Sequence, residues 1–290
     1  MSMKELTGAQ MLERSRRRKT ARDIFDYVLR VLMGICFISP LAIGILFSFV
    51  PNEYLNSLPS FDTILQHFTL ENYQHLFSTI PVLRYVSNSL TLCLIIISMQ
   101  IIVSCLAAYA FSTFKFPGKD FFFNLVLVAM MIPGQVTTIT NYLTVSSMGL
   151  VNTYLGLCIP YFVGGTAIFM MRQFFLTLPK ELKEASLLDG CGDMRFLFKI
   201  AIPLAVPTIA SLAIYIFIDI YNLYFWPMLV AQDQDMFTVQ IGMAMLVSSG
   251  SVEYGRVLAG AVISIIIPLV AFVIGESYLI KGMTAGAVKG

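Results

Sequence analysis

Long runs without a charged residue set the pattern of this chain: positions 31–50, 85–114, 121–171, 200–218 and 257–275 contain no Asp, Glu, Lys or Arg. A membrane-spanning helix needs roughly 20 mostly apolar residues, and each run reaches about that length. The run 121–171 is far too long for one helix, and Ser146–Gly156 within it is polar and turn-forming, so it divides in two. The pattern predicts six spans, at about 24–50, 84–112, 121–145, 153–176, 200–227 and 256–279. A membrane β-barrel would alternate polar and apolar positions over about ten residues. These runs do not alternate, so the expected fold class is an all-α integral membrane protein with six transmembrane helices. Pro133 and Gly134 interrupt the third span and predict a kink there.

Composition agrees with that reading, since 57% of the 290 residues are hydrophobic and only 12% charged, where soluble domains carry about 25% charged residues. Charge adds orientation, because short loops rich in Lys and Arg stay on the cytoplasmic side. All basic residues except Arg84 and Arg256 fall in a basic tail at 1–23, its junction with the first span, loops after the second and fourth spans, and a tail at 281–290. Both termini and the loop 178–199 are therefore expected in the cytoplasm. The outer face would hold 51–81, a link near Ser146, and 227–254, whose charges are mainly acidic (Glu53, Asp62, Glu71, Asp233, Asp235, Glu253). No small-x-small cleavage site follows the first apolar run, so it reads as an uncleaved span rather than a signal peptide. The cluster Arg14–Lys19 beside it reads as a topology and lipid-headgroup signal, with no nucleic-acid partner implied.

Catalytic patterns are missing from the sequence. No GxxxxGK[ST] phosphate cradle occurs. The only histidines, His67 and His75, sit in the outer loop without a third metal ligand, and none lies at membrane depth to activate a nucleophile. Cys36, Cys93, Cys105 and Cys158 fall within spans and Cys191 in the cytoplasm, which favours packing over disulfides. The expectation is a transport subunit with no catalytic or metal site of its own.

The segment 178–199 interrupts the apolar pattern with charge, and reads as two short helices with a hinge. Pro179 suits a first turn, and Leu178, Leu182, Ala185 and Leu188 recur at helical spacing as one ridge. Gly190 can close that helix in the left-handed conformation. Asp193 is expected to cap a second helix, whose stripe is Phe196, Leu197, Ile200 and Leu204. An amphipathic pair outside the membrane must cover something, either headgroups or a groove on a partner.

These residues resemble the EAA loop of binding-protein-dependent ABC importer permeases, in which Glu-Ala-Ala, three residues, Gly, nine residues and Ile-x-Leu-Pro recur. Glu184, Ala185, Gly190, Ile200 and Pro203 match in register, while Ser186 replaces the second Ala and Ile202 the Leu. "FPGK" (Phe116–Lys119), "MMIPGQV" (Met130–Val136), "RQFFLTLPKEL" (Arg172–Leu182) and "KGMTAGAVKG" (Lys281–Gly290) extend the resemblance to the carbohydrate-uptake subfamily typified by the second membrane subunit of the maltose transporter. The resemblance implies a type I importer fold, with Glu184, Ala185, Ser186, Leu188, Asp189, Gly190, Ile200 and Pro203 coupling to a cytoplasmic ATPase. It further implies a second homologous permease, two ATPase subunits that bind ATP and Mg, an extracytoplasmic substrate-binding protein, and membrane lipid as surroundings. The short tail 281–290 would reach toward the ATPase pair.

Polar groups at membrane depth are costly and usually face a cavity. Asp219, Tyr221, Asn222 and Tyr224 are therefore candidate substrate-pathway residues, with Asp219 open between substrate hydroxyls and a polar contact to a partner span, Trp226 read as packing or interfacial, and Glu276 open between the pathway and a structural hydrogen bond. The absence of basic residues deep in the spans favours neutral sugars over glycerol phosphates. A stand-alone secondary carrier would show inverted repeats, and none is evident.

Overall fold

A computed structural model describes residues 8–55, 59–248 and 253–284, and among them every regular element is helical. In chain order these are α1 (Gly8–Phe47), α2 (Phe61–Gln66), α3 (Glu71–Thr79), α4 (Val82–Thr113), α5 (Lys119–Met131), α6 (Gly134–Ser147), α7 (Tyr154–Cys158) and α8 (Gly165–Thr177). There follow α9 (Lys180–Leu188), α10 (Asp193–Phe196), α11 (Ile202–Leu204), α12 (Val206–Tyr221), α13 (Phe225–Val230), α14 (Val239–Ser248) and α15 (Tyr254–Thr284). The ends of the predicted tails, 1–7 and 285–290, lie outside the described residues.

Three segments, Arg22–Phe47, Val82–Thr113 and Tyr254–Glu276, are long and apolar enough to cross a membrane unaided. Three bent pairs pass the same test together: α5 with α6 at 101°, Tyr154–Tyr161 with α8 at 49°, and Asp193–Leu204 with α12 at 75°. If each pair is one span, six result. The breaks have identifiable causes. Pro133 lacks an N–H for the ladder and caps α6 with extended backbone. Pro203 and Pro207, in the first turns of α11 and α12, remove ladder N–H groups on either side of the third break, and the chain widens before it into a π-turn at Leu197–Ala201. The predicted fifth span at 200–227 is therefore interrupted: α12 ends at Tyr221, and α13 starts only at Phe225.

The chain divides into two compact units. The smaller comprises 1–73 with 254–262. Here Asn72 donates to the Ser48 and Val50 carbonyls (2.9 and 2.7 Å), and Phe49 stacks on Phe68 at 4.6 Å, which folds the connection after α1 back on itself. Gly255, at the start of α15, packs so close to the Asn72 amide that a Cβ would not fit.

The larger unit comprises 74–253 with 263–290, and its core forms where α4 runs between α8 and α12. Leu92, Ile96 and Tyr109 meet Met171, Phe175, Leu212 and Ile216 there, all buried. Helices in lipid gain little from apolar contact alone, so close packing and interior hydrogen bonds carry more of the specificity. Gly165 admits Met130 at a distance no side chain would allow. Asn88, almost fully buried on α4, donates to the carbonyls of Asp235 and Phe237 (2.7 and 2.8 Å) and accepts from the Tyr154 hydroxyl (2.7 Å). Asn152, at φ 60°, accepts from the Gln232 and Asp233 amides and donates to the Asp233 carboxylate at 2.6 Å. These two side chains tie α4, the start of α7 and the 232–237 segment, remote in sequence, into one end of the unit.

Candidate functional site

The charged interruption folds as α9, a tight turn, and α10. Pro179 precedes the first helical residue. At the other end Gly190 adopts φ 71°, its N–H meets the Leu187 carbonyl (3.0 Å), and the Cys191 N–H meets that of Ser186 (2.9 Å). That pairing is a Schellman closure, which satisfies two carbonyls the helix end would leave open.

Three expectations need correction. The ridge Leu178, Leu182, Ala185 and Leu188 does not present one outward face to headgroups or a partner. Leu178 and Leu182 turn toward the core, whereas Ala185 is exposed and Leu188 is 90% exposed. Ser186 occupies the buried position instead, its hydroxyl bonded within the helix to the Lys183 carbonyl at 2.7 Å. The outward face is thus Glu181, Glu184, Ala185 and Leu188, an acidic and apolar strip at helical spacing. Likewise Asp193 does not cap α10. It is the first helical residue after Gly192, and its carboxylate faces Lys183 Nζ at 2.8 Å. The stripe on the second helix is also shorter than predicted, for Phe196 and Leu197 are buried and Ile200 half-buried, while Leu204 is exposed. Asp189 and Pro203 lie at the surface.

Lys183 joins this loop to the end of α4. Its ammonium lies 5.5 Å from the Tyr109 ring centroid and 5.4 Å from that of Phe114, and the Tyr109 hydroxyl approaches Asp193 at 3.4 Å. Hydrogen bonding from Lys183 holds the Asp193 carboxyl below its ordinary value. A lowered acid keeps its contribution at neutral pH and loses it only as pH falls through the depressed value. Both side chains are partly exposed, so the pair is worth at most about 1 kcal/mol in stability. Its effect is positional: it fixes the angle between α9 and α10.

The four pathway candidates are not brought together. Asp219, Asn222 and Tyr224 are exposed, with Asp219 and Asn222 on the same face of α12 as Tyr215. Asn222 is turned back on its own helix, donating to the Ile218 carbonyl at 2.8 Å. Tyr221 departs from the expectation: it is 1% exposed and stacks on Phe217 at 5.5 Å, because its position falls on the face of α12 that meets the core. Trp226 is also a packing residue, buried with its indole N–H on the Leu157 carbonyl at 3.1 Å. The exposed stripe Tyr215, Asp219 and Asn222 was only half legible, since Tyr215 carries no polar neighbour in sequence to single it out.

Among the described residues, several membrane-length apolar helices, with the charged, exposed α9 between two of the bent pairs, make this a multi-pass membrane protein. Residues 100–278 match the family described as binding-protein-dependent transport system inner membrane component, and the chain belongs to that family. The chain is 34% identical over 283 residues to the arabinooligosaccharides transport system permease protein AraQ of Halalkalibacterium halodurans, covering 94% of this chain and 100% of that one. It is also 35% identical over 202 residues to the sn-glycerol-3-phosphate transport system permease protein UgpE of Brucella melitensis, covering 69% of this chain and 72% of that one. A solved bacterial ABC transporter involved in import of the acidic polysaccharide alginate contains a chain of similar fold, with TM-score 0.77, 20% identity, and coverage of 90% of this chain and 98% of that one.

Proposed function

We propose that this permease carries a neutral sugar or oligosaccharide into the cytoplasm, moved by ATP hydrolysis in partner subunits. The observation that supports it most is the similarity to the arabinooligosaccharide permease along essentially the whole length of both chains. The glycerol phosphate reading is the second, favoured by several UgpE relatives, most of them matching over 202 residues and one, at 29% identity, over 90% of this chain. The exposed Asp219 carboxylate weighs against it, because an acid beside the route would repel a phosphate.

In this reading the chain has six spans, with both termini and the α9–α10 hairpin in the cytoplasm, as the distribution of Lys and Arg favours. It pairs with a second homologous permease. The outward strip of α9, with Glu184 at its centre, seats in a cleft of one of two ATPase subunits, which bind ATP and Mg. A substrate-binding protein docks on the acidic outer loops. Closure of the ATPases draws the hairpins together and tilts the spans between inward- and outward-facing states, a rigid-body switch. The bends at Pro133 and Pro203 sit in spans that must tilt.

ATPase stimulation of the reconstituted complex tests the substrate class. Arabinotriose with its binding protein is expected to stimulate, and glycerol 3-phosphate is not; the reverse result would replace the carbohydrate reading with the phosphate one. Asp219→Asn is expected to weaken the apparent affinity for the sugar roughly tenfold, the loss of one charge-assisted hydrogen bond. Unchanged affinity and stimulation would remove Asp219 from the pathway.

A further inference from the structure

A cleft of about 430 Å³ opens where α4 ends, between α8, α9 and the start of α5. Four lysines line it, Lys115, Lys119, Lys180 and Lys183, against a single lining carboxylate, Glu184. Such a concentration of one sign is costly to assemble unless something answers it. Lys183 is answered from within the protein by Asp193. Lys119 donates to the Phe114 carbonyl at 2.9 Å, which holds its ammonium at the cleft with donors to spare. Lys115 and Lys180 are exposed, arrive from different connections, and take no part in the Lys183–Asp193 pair. After internal pairing, the cleft keeps a surplus of positive charge.

The walls narrow the ligand. Phe175, Leu176 and Leu178 give the cleft an apolar side at the end of α8, and Ser112 and Thr113 are the last residues of the membrane-length helix α4. At the end of a membrane-length helix, the cleft presents an apolar side and a basic side, which suits a ligand apolar on one side and anionic on the other. Lysine ammonium groups on flexible stems suit phosphate as point-charge donors. A basic pocket between helix ends at the membrane surface matches an anionic lipid better than a soluble metabolite, which would gain nothing from the apolar wall.

We propose that this cleft binds the phosphate of an anionic membrane lipid, with Lys115 and Lys180 as its principal contacts and the apolar wall receiving the glycerol end. The lipid would occupy the space between the coupling hairpin and the span ends, and so set how stiffly the hairpin moves with them. This goes beyond the transport reading and does not depend on which solute is carried.

The test uses the complete transporter in nanodiscs of phosphatidylcholine with graded phosphatidylglycerol. Retained lipid is read by native mass spectrometry, alongside ATPase activity. Lys115→Gln and Lys180→Gln, singly and together, are expected to lose one tightly held phosphatidylglycerol, with affinity falling roughly fivefold per lysine removed. Lys115→Arg with Lys180→Arg should retain it, which separates charge from misfolding. Equal retention in the Gln variants would overturn the proposal. Displacement of the lipid by excess inorganic phosphate, or protection by phosphate where no lipid is retained, would assign the site to a soluble anion instead. Loss of the ATPase subunits from the Gln variants in pure phosphatidylcholine would assign the lysines to that interface and equally overturn it.

Discussion

Replacing Glu184 by Lys is expected to abolish ATP-driven uptake while leaving the chain inserted, folded and paired with its neighbour in the membrane. Glu184 is exposed on the outward strip of α9, and it makes none of the hairpin's closing contacts, which belong to Gly190, Ser186 and the Lys183–Asp193 pair. Reversal of its charge therefore changes what the strip presents, not how it is held. A buried interfacial charge pair that loses one partner costs about 2–5 kcal/mol, so association with the ATPase should weaken by roughly a hundredfold or more. Co-purification of the ATPase with the Glu184→Lys variant measures this directly. Full retention of the ATPase would remove Glu184 from the contact. Leu188, 90% exposed beside it, supplies the apolar part of the same strip. Polar substitution there should weaken association more mildly, since one Leu side chain contributes about 2 kcal/mol when covered.

Asn88→Leu is expected to have the largest effect on stability. Leu keeps the branched shape of Asn but no polar atom, and so leaves the carbonyls of Asp235 and Phe237 and the Tyr154 hydroxyl without the partner they now share. Each unpaired group in a dry site costs about 1–3 kcal/mol, and partial relaxation of the loop would bring the sum to about 3 kcal/mol. Thermal unfolding of the purified protein in detergent should show a clearly lower midpoint. Binding-protein-stimulated ATPase activity should fall as well, because the segment that Asn88 fixes belongs to the proposed outer face. An unchanged midpoint would mean that water or neighbouring groups replace the amide.

The contrast between these two residues shows what the sequence could convey. Spans were legible because lipid imposes one requirement on every residue of a run, and a stretch such as 85–114 satisfies it visibly. Pro133 signalled its break because a missing N–H is a local defect. Gly190 signalled its turn because only a residue without a Cβ takes φ 71° at little cost. Glu184 stood out through spacing within a short motif. Asn88 and Asn152 gave no such signal, since their partners lie far along the chain and appear only once α4, α7 and the 230–237 segment are packed. The ridge on α9 was misread for a related reason. Periodicity identifies a face but not what covers it: Leu178 and Leu182, read with Ala185 and Leu188 as one outward ridge, turn to the core, and Ser186, whose hydroxyl is satisfied by its own helix, is buried near them. Asp193 looked like a cap because Asp commonly caps; Lys183, ten positions earlier, competed for its carboxylate and won.

Uptake into proteoliposomes tests the central claim most directly. Vesicles containing this permease, its partner permease and the ATPase subunits, with ATP inside the compartment they face and binding protein outside, should accumulate labelled arabinotriose. Vesicles without the ATPase should accumulate none above background. Accumulation by this chain in the absence of any ATPase would contradict the account, for it would make the permease a carrier in its own right and leave the α9–α10 hairpin without its task.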